Sequence, residues 1–144
     1  MAAPKHVVLI IGGGWHTPQS YFRLSTALEG AGFEVHVPLY TSMNGSRPPN
    51  ADLSTDTAHI RAYTENLIKT GHEIMVLMHS YGGQVGTNAL DGLGVKDRTQ
   101  AGLPGGTSNL IYMTAYAIPE GKAMIDGVKH HGHEDLMPLA FDFA

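Results

Sequence analysis

Val7 to Ile11 reads Val-Val-Leu-Ile-Ile, with no polar interruption, and runs straight into Gly12-Gly13-Gly14. A strand with one wet face alternates polar and apolar side chains. A strand without alternation needs cover on both faces, which a parallel sheet flanked by helices provides. The pattern recurs along the chain. Phe33 to Tyr40 alternates and reads as a second strand, with Pro38 marking its end. Glu73 to Met78 reads as a third and Asn109 to Thr114 as a fourth. Helical periods separate them. Thr17-Pro18 has the form of an N-cap with proline in the first turn. Tyr21, Leu24 and Leu28 then share a face, and Gly30 can end that helix. Ser54 is a candidate cap for a second helix, with Ile60, Tyr63 and Leu67 aligned and Gly71 closing it. Gly82 to Leu90 is a short third helix, with Val85 and Ala89 one turn apart. Asp91 to Thr107 reads as irregular and glycine-rich. Strand and helix in alternation predict an α/β fold built on a parallel sheet.

The 144 residues suit one domain, long enough to bury roughly 70% of the surface the unfolded chain exposes. Apolar residues make up 42%, enough for a core, and charged residues only 15%. The net charge is −4 with no block of Lys or Arg, which argues against nucleic acid or an anionic membrane as partner. There is no cysteine, so disulfides and thiol chemistry are excluded. No segment approaches the roughly 20 apolar residues of a membrane span, and the Val7 to Ile11 run is too short for a secretory core. The expectation is a soluble, cytoplasmic protein.

The stretch Val76 to Gly86, Val-Leu-Met-His-Ser-Tyr-Gly-Gly-Gln-Val-Gly, carries the chemistry. A serine hydroxyl is a weak nucleophile; it needs a base and donors for the oxyanion formed on attack. A strand, a sharp turn and a helix start hold the hydroxyl above the sheet edge and aim free N–H groups at the reacting oxygen. The pattern for such an elbow is Gly-x-Ser-x-Gly. Here Met78 stands at the first glycine, where a long side chain is awkward. The alternative is an ordinary strand–helix joint with Ser80 as a polar cap. Gly12 to Gly14 end a buried strand at the edge where ligands bind in parallel sheets. A dinucleotide loop fits poorly there: the third glycine would fall at Thr17, and no acid follows the second strand.

Together, Val7 to Tyr40, Val76 to Gly83 and Asn109 to Met124 resemble the α/β-hydrolase superfamily. More narrowly they resemble the small esterase-like hydrolases related to plant methylesterases and hydroxynitrile lyases, whose bacterial and fungal cousins carry a similar Gly-Ala-Trp-His-Thr-Pro opening. The resemblance implies Ser80 as nucleophile and the N–H groups of Gly14 and Tyr81 as oxyanion hole. Gly13, Trp15 and His16 would border the substrate; threonine stands at the Gly13 position in the lyase branch, so glycine favours the esterase branch. The implied reaction is hydrolysis of a carboxylic ester or lactone, a small-molecule substrate, through an acyl-serine and without a cofactor. The alternatives are C–C cleavage, cyclisation or decarboxylation on the same scaffold, or a non-catalytic fragment that binds a ligand or partner.

The resemblance also divides the chain into a hydrolase core over residues 1–118, truncated after about four strands, and the start of a cap over 119–144. In the family the catalytic acid and histidine follow two further strands, so a second segment or subunit is expected to complete the sheet and supply them. Within the chain, Glu120 or Asp126 followed by His130, His131 and His133 have the right order, but they sit in the expected cap and read as polar surface. His131-x-His133 with Glu134 or Asp135 is too small a set for zinc, so no metal is assigned. His79 is expected to be a structural histidine pointing away from Ser80, because neighbours on a strand alternate.

Overall fold

The structure is a computed structural model that describes residues 6–141. The outer ends of both expected segments, residues 1–5 and 142–144, lie outside the described residues. Four parallel strands form one sheet: β1 (Val7–Ile11), β2 (Glu34–His36), β3 (Glu73–His79) and β4 (Gly106–Met113), in the order β2-β1-β3-β4. The helices are α1 (Phe22–Gly30), α2 (Leu53–Ile68), α3 (Gly82–Ala89), α4 (Val95–Gln100), α5 (Met124–His130) and α6 (Met137–Ala140). Ile11 pairs with Met78, so β1 and β3 end level and deliver Gly12 to Gly14 and Ser80 to the same sheet edge.

β1 is buried on both faces along its whole length, as its unbroken apolar run requires. Val7, Leu9 and Ile11 join Ile74, Val76 and Met78 beneath Ile60 and Ile68 of α2 and Val85 and Ala89 of α3. Val8 and Ile10 face the other way, onto Tyr21, Leu24 and Leu28. β4 has one neighbour strand and little cover. Leu110, Ile111, Tyr112 and Met113 are 36 to 46% exposed, a run of apolar residues on an open sheet edge.

The local differences from expectation have identifiable causes. β2 is only Glu34–His36, and Pro38, which has no N–H to donate, bars the ladder from running on to Tyr40. Asp52, not Ser54, caps α2: its carboxylate accepts the Thr55 N–H at 2.9 Å. Pro18–Tyr21 is a 3₁₀ turn ahead of α1. Gly32, at φ 96°, takes the left-handed position after α1 that Gly30 was expected to fill. α4 occupies part of the stretch read as irregular, and β4 begins at Gly106 rather than Asn109.

Met78 is fully buried, and its place is prepared by a glycine that lies elsewhere in the motif. A Cβ at Gly86 would stand 2.5 Å from Met78 Sδ and 2.9 Å from its Cγ. The methionine side chain therefore uses the space that Gly86 leaves on the inner face of α3, and the elbow keeps its shape without a glycine at residue 78. Gly86→Ala should cost about 1–3 kcal/mol by overpacking. Combined with Met78→Ala, its cost should shrink, because the clash is removed; urea unfolding of the two single variants and the double variant measures this coupling.

Candidate active site

Ser80 lies between β3 and α3 with φ at 52°, a left-handed backbone that costs a non-glycine residue on the order of 1–3 kcal/mol. Its surroundings enforce that turn. The Ser80 carbonyl accepts the Gly83 N–H at 3.0 Å and the Tyr116 N–H at 3.1 Å. A Cβ at Gly82 would stand 2.6 Å from the Gly12 carbonyl oxygen and closer still to that of Ile11. One at Gly83 would stand 2.8 Å from the Tyr116 nitrogen. The first turn of α3 therefore rests on two stretches of backbone at once, and only glycine permits it. Ser80 is half-buried, and its hydroxyl bonds no other side chain among the described residues.

The glycine loop after β1 faces this turn. A Cβ on buried Gly13 would stand 3.2 Å from Ser80 Cβ, 3.2 Å from His16 Nδ1 and 3.0 Å from His79 Nδ1. Gly13 N–H is already committed, donating to the Tyr21 hydroxyl at 2.7 Å. The N–H groups of Gly14 and Tyr81 donate to no described protein group, and a Cβ at Gly14 would lie 3.8 Å from Tyr81 Cβ. The glycine loop and the turn thus each carry one uncommitted donor close to the serine in the chain or in space. His16, exposed, folds back onto the loop with Nδ1 2.7 Å from the Gly14 carbonyl oxygen. Trp15, at φ 59°, is 73% exposed, with its ring 5.4 Å from that of Phe141.

Two polar chains hold the loop and the turn in place. In the first, Tyr21 takes the Gly13 N–H and lies 2.8 Å from His79 Nδ1. With the Tyr21 proton directed at Nδ1, a neutral His79 serves as acceptor. Burial, and secondarily the neighbouring His16, hold the His79 pKa below its ordinary value. In the second, the Tyr40 hydroxyl donates to the Gly12 carbonyl at 2.6 Å, and its ring packs edge-on against Tyr81 at 5.4 Å. The Tyr81 hydroxyl donates to Asp56 at 3.1 Å. Asp56 is fully buried and also accepts the Ser42 N–H at 2.9 Å and the Ser42 hydroxyl at 2.6 Å.

Sequence reading had not singled out Asp56, nor assigned a site role to Tyr40 or Tyr21. A signal for Asp56 was present: it lies one helical turn before Ile60 on the apolar stripe of α2, where a solvated carboxylate does not belong. The acid and base candidates near the C-terminus are not brought to Ser80 by any described hydrogen bond. Asp126 accepts the Ala123 N–H at 2.8 Å at the start of α5, Glu120 is exposed, and the His130 and His131 rings meet edge-on at 5.1 Å. His79 is held by Tyr21, but its ring does not point away from Ser80 as strand alternation suggested: His79 Nδ1 and Ser80 Cβ lie 3.0 and 3.2 Å from the place a Gly13 Cβ would take. No helix among the described residues is long and apolar enough to cross a membrane.

His79 sets an acid limit on this arrangement. Its folded-state pKa is lowered from 6.5, so the unfolded chain binds the proton first. Its contribution to stability is complete above pH 6.5 and is lost as pH falls through the lowered value. Thermal unfolding of the parent and of His79→Gln, compared from about pH 8 down to about pH 5, should show a shallower loss in the variant.

The alpha/beta hydrolase family model matches residues 7–143. The alpha/beta hydrolase nvfD of Aspergillus novofumigatus is 28% identical over 120 residues, which are 83% of this chain and 47% of that protein. The chain thus spans about half the length of the curated relatives it matches. Among solved structures, an extracellular alpha/beta-hydrolase from a Paenibacillus species, described as sharing structural and functional homology with tobacco salicylic acid binding protein 2, superposes with a TM-score of 0.69. The two are 20% identical, and the match covers 94% of this chain and 52% of that one. A mutant of polyneuridine aldehyde esterase superposes with a TM-score of 0.67 at 15% identity, over 91% and 48% of the two chains. The four-strand parallel sheet is the fold they share with this protein. With nearly its whole length matched by the family model, the chain belongs to the alpha/beta hydrolase family.

Proposed function

We propose that Ser80 is the nucleophile of a carboxylic-ester or lactone hydrolase of the small esterase-like branch. The observation that carries this reading is Ser80 held at φ 52° where the turn meets the glycine loop, with the N–H groups of Gly14 and Tyr81 left uncommitted. Strain of this size persists only where the surroundings over-determine it, and it collects at functional sites. An esterase among the structural neighbours supports the same chemistry. Ser80 Oγ attacks the acyl carbon and loses its proton to a base. The carbonyl oxygen becomes an oxyanion between the two donors, and the alcohol leaves with a proton. Water then adds to the acyl-serine, and its collapse releases the acid and restores the hydroxyl. Gly13 keeps the space beside Ser80 open, and Trp15 and His16 border the approach from the glycine loop.

The base and its acid come, in this reading, from a second segment or subunit that adds to β4. Two observations support it. No described histidine bonds the Ser80 hydroxyl, and the strand bearing Leu110 to Met113 ends the sheet with its apolar side chains uncovered. Tyr116, just past β4, already ties that edge to the elbow through its bond to the Ser80 carbonyl. A chain adding to β4 would therefore lie beside the nucleophile.

A fluorophosphonate probe should label the intact protein at Ser80, and Ser80→Ala should lose labelling by more than about a hundredfold. The 144-residue chain alone should label slowly, since it retains the donors without a base. Labelling of Ser80→Ala at the parental rate would remove Ser80 from the mechanism.

Hydrogen exchange should place the amides of Leu110 to Met113 among the fastest of any strand in the 144-residue chain and slow them once the covering segment or subunit is present. A compact, fully active 15.4 kDa monomer would show that nothing needs to cover this edge.

A further inference from the structure

The Asp56 carboxylate is the one fully buried acid described, and it has no cationic partner there. Burying a carboxylate is costly unless donors satisfy it. Three do: the Ser42 N–H, the Ser42 hydroxyl and the Tyr81 hydroxyl, from the loop after β2 and from the elbow. Tyr81 is the residue after the strained serine, and its own N–H is one of the two uncommitted donors. Its side chain points into the core, so whatever fixes that phenol also fixes the peptide plane that carries the N–H. Tyr40 extends the connection: its ring meets Tyr81 edge-on, and its hydroxyl holds the Gly12 carbonyl two residues before Gly14. Burial and the adjacent Asp56 charge raise the Tyr81 pKa, which keeps the phenol protonated and a donor.

From this geometry we infer that Asp56 is a positioning residue, acting through the Tyr81 hydroxyl to hold the Tyr81 N–H opposite that of Gly14 as an oxyanion hole. The inference rests on the reading of Ser80 as nucleophile. It assigns a mechanistic use to a buried carboxylate that also anchors the loop after β2 through Ser42. Asp56 touches neither substrate nor Ser80; its effect passes through one phenol and one peptide plane.

The test uses the intact protein and an alkyl fluorophosphonate, whose phosphoryl oxygen occupies the oxyanion position in the adduct. Maximal labelling rate and half-saturating probe concentration are measured separately for the parent, Ser80→Ala, Tyr81→Phe and Asp56→Asn, with thermal unfolding of each. Tyr81→Phe leaves Asp56 its two Ser42 donors, so the fold is retained. Its maximal rate should fall about tenfold with the half-saturating concentration within about twofold, the signature of a misplaced donor. Asp56→Asn offers one acceptor oxygen to three donors and should lower the rate at least as much. Added to Tyr81→Phe, it should lower the rate by less than it does alone, because the two act through one bond. A Tyr81→Phe variant that labels at the parental rate, even with a lowered unfolding temperature, shows a structural role only and overturns the inference while leaving Ser80 as nucleophile. A parent that does not label at Ser80 overturns the nucleophile reading, and this inference with it.

Discussion

The structure depends on one close backbone contact: the first turn of α3 lying against the end of β1. Gly82 meets the Ile11 and Gly12 carbonyls without room for a side chain, and Gly83 does the same against Tyr116. With the helix start pinned from both sides, the chain leaving β3 has only Ser80 and Tyr81 in which to turn, and Tyr81 is already in the right-handed helical conformation. Ser80 takes the left-handed conformation as a result. The strain is local, but the packing that maintains it extends through the sheet, since Ile11 and Met78 are register partners in its buried centre. Rigid flanking elements are how a fold keeps an unfavourable backbone in place.

Around that contact the fold uses tyrosines where a simpler core would use phenylalanine. Tyr21, Tyr40 and Tyr81 each bury a ring and direct a hydroxyl to a specific backbone or side-chain partner: Gly13 and His79, Gly12, and Asp56. A buried hydroxyl without a partner would cost on the order of 1–3 kcal/mol. With partners, each becomes a directional constraint in a region where apolar packing alone would leave the glycine loop free to shift. Three glycines in a row have little conformational preference of their own. Their order comes from the phenols above and below them.

Met78 and Gly86 show how a motif can change a letter and keep its geometry. The elbow needs space between strand and helix, and it does not matter which side supplies it. A long side chain on β3 is compatible with the turn because the helix carries glycine one turn further on. At the opposite extreme, β4 leaves its apolar residues partly exposed at the sheet edge, and the bond from Tyr116, just past it, to the Ser80 carbonyl couples that edge to the elbow.

Much of this was legible in the sequence because it rests on local and periodic signals. The unbroken Val7 to Ile11 run demanded burial on both faces, and the helical stripes through Tyr21, Leu24 and Leu28 and through Ile60, Tyr63 and Leu67 pack where their spacing placed them. The strand–Ser-Tyr-Gly-Gly–helix order located the turn at Ser80. Element ends were less legible, since Asp52 and Gly32 won their capping positions through details of backbone direction that spacing does not encode. The partners of Gly13, Gly12, Met78 and Tyr81 were decided by tertiary structure alone. Gly12–Tyr40 and Tyr81–Asp56 are 28 and 25 residues apart, and even Gly13–Tyr21, 8 apart, joins two different elements, so each contact exists only once packing has set the distance between them.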